Sequence, residues 1–225
     1  HSVQLMPAEA SGCRNYQGVA WYRKHFTVPS ELEGMDVTLH FEAVMGKQKF
    51  YVNGRLVKEH LGGYLPVTIS LTEAGVKAGD KCVVAVMADN SDDKSYPPGK
   101  TQYTLDFAYH GGIYRDVWMI GKSPVAITDA VEAGKVADGG VFVHFDNLSE
   151  ESAEVYVNTN VKNSGQAARR VTVETTLTDA EGRVVKKVSN KLSLQPGADQ
   201  TTMQRIVVKQ PRLWSPDSPY LYRVE

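Results

Sequence analysis

The chain has little that would mark it as a nucleotide-binding, metal-dependent or membrane protein. Its 225 residues include only two cysteines, Cys13 and Cys82. Two thiols in a chain this long make no disulfide framework, and with no CxxC pair they do not suggest a zinc site. No apolar run approaches the roughly 18 residues that a helical membrane span needs. Neither sign of charge dominates: 25 Lys and Arg stand against 26 Asp and Glu, a formal net charge of -1. That balance gives no electrostatic reason to expect a nucleic-acid or membrane partner. Catalytic motifs are missing as well. Gly121-Lys122-Ser123 has the tail of a phosphate-binding loop, but Asp116 stands where the first glycine is required; Gly99-Lys100-Thr101 fails in the same way at Lys94. There is no GxSxG elbow, no HExxH helix and no His/Cys/carboxylate group with metal-ligand spacing. No cofactor is implied.

What the chain does have is period-two patterning. Ala153, Val155, Val157, Thr159 and Val161 alternate with Glu154, Tyr156, Asn158 and Asn160. This is the signature of a strand with one face buried. Val37-Thr38-Leu39-His40-Phe41 and Cys82-Val83-Val84-Ala85-Val86-Met87 read as strands too, the latter with a buried thiol. No window carries convincing i, i+3, i+4, i+7 apolar spacing, so the fold class is all-β. Asn53-Gly54, between Phe50-Tyr51-Val52 and Arg55-Leu56-Val57, predicts a two-residue hairpin because both residues tolerate positive φ. Asp179-Ala180-Glu181-Gly182 and Gln195-Pro196-Gly197 separate later strands.

A boundary is expected at Gly121-Lys122-Ser123-Pro124, giving domains 1–122 and 123–225. The first is rich in aromatics, glycine and proline, and a strand over residues 113–120 closes it. The second has about seven plain strands, the number of an immunoglobulin-like sandwich. Trp21, Trp118 and Trp214 are expected in the core. Arg115 and Asp116 are expected as a buried pair on a strand. Asp92-Asp93 reads as a solvated loop. For Tyr96, Tyr103 and Tyr109, loop packing is favoured over stacking on a sugar.

Several segments are more specific. Gly18-Val19-Ala20-Trp21-Tyr22-Arg23-Lys24-His25-Phe26-Thr27-Val28-Pro29 resembles the strand that opens the sugar-binding domain of family 2 glycoside hydrolases. Gly111-Gly112-Ile113-Tyr114-Arg115-Asp116-Val117-Trp118 is similar to that domain's closing strand. Phe41-Glu42-Ala43-Val44-Met45, Tyr51-Val52-Asn53-Gly54 and Gly62-Gly63-Tyr64-Leu65-Pro66 follow in the family's order, and Leu213-Trp214-Ser215-Pro216 resembles the end of its second domain. The resemblance implies a jelly-roll β-sandwich followed by an immunoglobulin-like β-sandwich that lacks its last strand. It also implies a TIM barrel beyond Glu225 that carries both catalytic carboxyls, so that this chain alone is inactive.

Two substrate-binding positions follow from the resemblance. Asn15, three residues before Gly18, matches a pocket asparagine, and Asp106, six residues before Gly112, matches a pocket aspartate of β-galactosidases and β-glucuronidases. An amide both donates to and accepts from hydroxyls, and a carboxylate accepts strongly. The alternatives are an Asx-turn at Asn15 and a turn cap or arginine pair at Asp106. That aspartate can also hold sodium in the β-galactosidase branch; the other ligands would be in the barrel, and no metal is expected here. The implied partners are a β-galactoside substrate, the chain's own barrel and a homo-oligomer. A β-glucuronidase or β-mannosidase parent, or a free carbohydrate-binding module, is the alternative. An opening His1-Ser2 fits a removed leader, hence a periplasmic or secreted protein, with a cytoplasmic one as the other option.

Overall fold

A computed structural model describes residues 16–105 and 110–225. The chain divides into two compact units, His1–Ser123 and Pro124–Glu225.

The first unit has strands β1 (Val19–Thr27), β2 (Asp36–Phe41), β3 (Val44–Met45), β4 (Lys47–Val52), β5 (Arg55–Leu61), β6 (Val67–Ser70), β7 (Lys81–Asp89), β8 (Gly112–Ile113) and β9 (Val117–Lys122). They form antiparallel sheets in the orders β1-β7-β4-β5, β6-β2-β9 and β3-β8. Strand alternation builds the core. Val37, Leu39 and Phe41 on β2, and Cys82, Val84, Val86 and Ala88 on β7, all point inward and are buried. The two larger sheets meet where Phe41 and Phe50 pack 4.9 Å apart at 60°. Burying a phenylalanine that fully contributes about 2–3 kcal/mol. Cys82 is a free, buried thiol. The Asn53-Gly54 hairpin forms as expected: φ is 48° and 83°, and Val52 pairs with Arg55. Asn53 Oδ1 also accepts from the Val83 amide at 2.8 Å, tying the turn to β7.

The closing strand expected over residues 113–120 is two strands, β8 and β9, with a bend at Arg115 between them. Arg115 and Asp116 are therefore exposed rather than a buried pair. In the bend the Asp116 carbonyl accepts from the Glu42 amide at 3.0 Å. The three tryptophans are corrected in the same direction. Trp21, Trp118 and Trp214 are 61%, 53% and 58% exposed. Trp21 shares the parity of Arg23 and His25 on β1, so it faces outward beside Tyr51 while Tyr22 and Phe26 pack against the core. Trp118 donates through Nε1 to Glu42 at 2.8 Å.

The second unit has seven strands: β10 (Val125–Ile127), β11 (Val141–Asp146), β12 (Ser152–Asn163), β13 (Arg169–Thr178), β14 (Val184–Leu194), β15 (Asp199–Lys209) and β16 (Arg223–Val224). β12 pairs with β10, β11 and β15, and a second sheet runs β14-β13-β16. Val155, Val157, Leu177, Ile206 and Val208 fill the space between them. The alternation read along β12 appears as expected, with Ala153, Val155, Val157, Thr159 and Val161 buried. The final segment narrows to Arg223–Val224, which pairs with β13 and stands at the end of its sheet order.

Candidate functional site

Asn15 and Asp106 both lie outside the described residues, but the chain that follows Asn15 and the chain on either side of residues 106–109 are described, and they converge on one residue. That residue is Asn90, just past the end of β7 and only 3% exposed. Its Oδ1 accepts from the Gly18 amide at 2.9 Å, and its Nδ2 donates to the Tyr16 carbonyl at 2.7 Å. Its own amide donates to the Gly18 carbonyl at 3.3 Å, and its carbonyl accepts from Gln102 Nε2. A buried amide with donor and acceptor both used fixes the path of its partners, because any movement leaves a polar group unpaired.

Asp92 extends the junction. One carboxylate oxygen accepts from Gln17 Nε2 at 3.2 Å and from the Gln102 amide at 2.9 Å. Gln102 opens a 3₁₀ turn, Gln102–Thr104, that leads into Leu105. The far side is closed by glycine. A Cβ on Gly111 would lie 2.5 Å from Asn90 Nδ2, so only a residue without a side chain fits there. Gly46, which precedes β4, abuts the backbone of Asp89 and Asn90 just as tightly.

The Asp92-Asp93 doublet is thus no simply solvated pair. Adjacent side chains diverge along extended chain. Asp92 binds the junction, while Asp93 pairs with Lys47 at 2.7 Å and accepts from the Ser95 amide at 2.7 Å. The Lys47 ammonium, then Ser95, holds the Asp93 carboxyl far below the usual carboxylate range. Tyr96 is buried, consistent with loop packing, and burial pushes its hydroxyl up. Deeper in, buried Gln48 donates through Nε2 to the carbonyls of Gly62 at 2.7 Å and Gly46 at 3.2 Å. Among the described residues no group of three or more His, Cys, Asp or Glu could hold a metal ion.

Away from this junction, a cavity of about 540 Å³ is lined by Tyr22, Phe26, Leu39, Phe41, Ile113 and Met119 among others. Its wall is apolar and offers few of the donors and acceptors that a polyhydroxylated ligand demands. The Asn90 junction has them. The sequence pattern left Asn90 without a role and assigned Asp92 to a solvated loop, because the available signal was weak: a polar run directly after an apolar alternation.

A two-layer sandwich whose loops gather at one polar junction, followed by a seven-stranded sandwich, defines an all-β module of two domains. The family model "Glycosyl hydrolases family 2, sugar binding domain" matches residues 3–124, and "Glycosyl hydrolases family 2" matches residues 136–225. The chain belongs to glycosyl hydrolase family 2. It is 32% identical over its whole length to a β-galactosidase of Thermoanaerobacter pseudethanolicus, covering 28% of that protein. A β-glucuronidase of Formosa agariphila is 28% identical over 93% of the chain, which covers 21% of it. Among solved structures, a putative β-galactosidase from Bacteroides fragilis superposes with a TM-score of 0.82 at 34% identity, over 93% of this chain and 30% of that one. Bacteroides uniformis β-glucuronidase 2 gives 0.82 at 27% identity, over 94% and 24%. The chain therefore spans about a quarter of the length of the relatives it matches.

Proposed function

We propose that this chain forms the pocket wall and scaffold of a retaining β-galactosidase whose two catalytic carboxyls come from a barrel following Glu225. Asn15 and Asp106 hydrogen-bond the hydroxyls of a terminal β-galactoside and orient it. Orientation of this kind lowers the barrier without any proton transfer by the residues concerned. The two carboxyls that cleave the bond, about 5 Å apart in retaining enzymes, belong to the barrel. The supporting observation is the Asn90 junction, which ties residue 16, directly after Asn15, to the Gln102–Thr104 turn shortly before Asp106. The names β-galactosidase and β-glucuronidase both occur among the relatives, and the first is favoured by the identity of 32% over the full chain. The same proposal includes a homo-oligomer and a periplasmic or secreted setting. In the test, the purified 225-residue chain leaves p-nitrophenyl β-galactoside intact, while Asp106→Asn in the full-length enzyme cuts turnover. Hydrolysis by the isolated chain, or an unaffected Asp106→Asn enzyme, overturns the proposal.

One observation favours a second reading, a free carbohydrate-binding module. Trp21 is 61% exposed beside Tyr51, with ring centroids 5.7 Å apart at 39°, an aromatic surface on which a sugar face could stack. Calorimetric titration of the isolated chain with lactose separates the two, because a pocket wall without its barrel binds almost none.

A further inference from the structure

The polar junction has a consequence for the pocket that is separate from the pocket residues themselves. Described residues on either side of Asp106, Gln102 before it and Gly111 after it, meet the stretch just past β7. Before it, Gln102 donates its backbone amide to Asp92 and its side chain to the Asn90 carbonyl. After it, Gly111 rests against the Asn90 side chain so closely that no Cβ fits between them. The strand-entry segment that follows Asn15 is anchored to the same two residues, through Tyr16 and Gly18 to Asn90 and through Gln17 to Asp92. Two segments distant from each other in sequence, the strand-entry one lying 72 to 75 residues from its anchors, thus share one frame. A ligand that bridges them requires their separation to be fixed.

We infer that Asn90 and Asp92 are positioning residues of the sugar pocket, setting the distance between the segments that carry Asn15 and Asp106. This rests on the reading of those two as sugar-binding residues. Asn90 is the keystone, but it is buried, and its truncation would strand the Gly18 amide and the Tyr16 carbonyl and put folding at risk. Asp92 is exposed and acts through a single oxygen, which makes it the cleaner probe. Asparagine at position 92 keeps an acceptor oxygen of the same reach, whereas alanine removes it.

The experiment compares Asp92→Ala, Asp92→Asn, Asp106→Asn and the double variant Asp92→Ala/Asp106→Asn in the full-length enzyme, with p-nitrophenyl β-galactoside as probe. Asp92→Ala is expected to lower kcat/KM roughly ten- to a hundredfold, the scale of a small misplacement of substrate-orienting groups. Asp92→Asn is expected to restore most of it. Residues that act through one another are non-additive, so the double variant should be within about threefold of Asp106→Asn alone. A loss of folded protein caused by Asp92→Ala would instead lower kcat by the same factor in the two variants that carry it, with KM unchanged, and leave the double variant additive. An Asp92→Ala enzyme as active as the parent, or full additivity, overturns the positioning role while the pocket reading survives. An unaffected Asp106→Asn enzyme overturns the pocket reading and this inference with it.

Discussion

Gly112 faces the hydroxyl of Tyr22 at a distance that leaves no room for a methyl group between them. The glycine stands at φ +71°, in β8, while Tyr22 belongs to β1 and packs against the core of the first unit. Gly112→Ala therefore meets two costs at once: a left-handed backbone, which disfavours any Cβ, and overpacking against Tyr22. Together these are expected to destabilise the first unit by roughly 2–4 kcal/mol. Urea unfolding followed by tryptophan fluorescence measures the shift, and a change below about 0.5 kcal/mol would mean that the β1–β8 approach is slack.

Asn160 does for the second unit what Asn90 does for the first. It is fully buried on β12. Its Nδ2 donates to Asp199 at 2.8 Å and to Thr201 at 2.9 Å, and its Oδ1 accepts from the Thr128 hydroxyl at 2.8 Å. Asn160→Leu keeps similar volume but leaves a hydroxyl donor without its acceptor and a carboxylate without one of its donors. Asp199 is exposed and keeps Lys135 as a partner, so the expected loss of roughly 1–3 kcal/mol comes mainly from the half-buried Thr128 hydroxyl. Thermal unfolding of the variant reads this directly. An unchanged midpoint would show that water replaces the side chain without penalty.

The strands were legible because their signals are local. Alternation along β12 and the Asn53-Gly54 turn depend on neighbours one or two residues away, and both appear where expected. The tryptophans misled because size alone suggested burial, while parity along the strand, shared with Arg23 and His25 in the case of Trp21, pointed outward. Arg115 and Asp116 misled because an unbroken run of residues hid the bend that divides β8 from β9. The Asn90 junction was invisible for a different reason. Its hydrogen bonds join residues 72, 74 and 12 positions apart, and no local pattern encodes such a meeting. Glycine at 111 makes sense only once Asn90 is seen to fill the space beside it.

Acid should unlock one strand pair of the second unit in a defined window. Arg205 on β15 grips Glu154 on β12 with two bonds, Nη2 to Oε1 at 2.6 Å and Nε to Oε2 at 2.9 Å, and the Tyr156 hydroxyl donates to Oε2 at 2.8 Å. Such forked, charge-assisted bonds favour the ionised carboxylate. Arg205 first, then Tyr156, brings Glu154 down from its ordinary 4.5 to about 2. Above 4.5 the carboxylate is charged in both folded and unfolded chains, so the contact stabilises in full. As pH falls from there toward 2, the unfolded chain takes up its proton first, and the advantage fades until both forms are protonated. Thermal midpoints of the parent and of Glu154→Gln, compared from pH 6 to pH 2, test this sign. The parent should lead at pH 6, and the gap should close below 4.5. Because Glu154 is partly open to solvent, screening keeps the gap small, and added salt should narrow it further. A gap that is constant across the window, or one that widens in acid, would mean that the ion pair does not couple to folding.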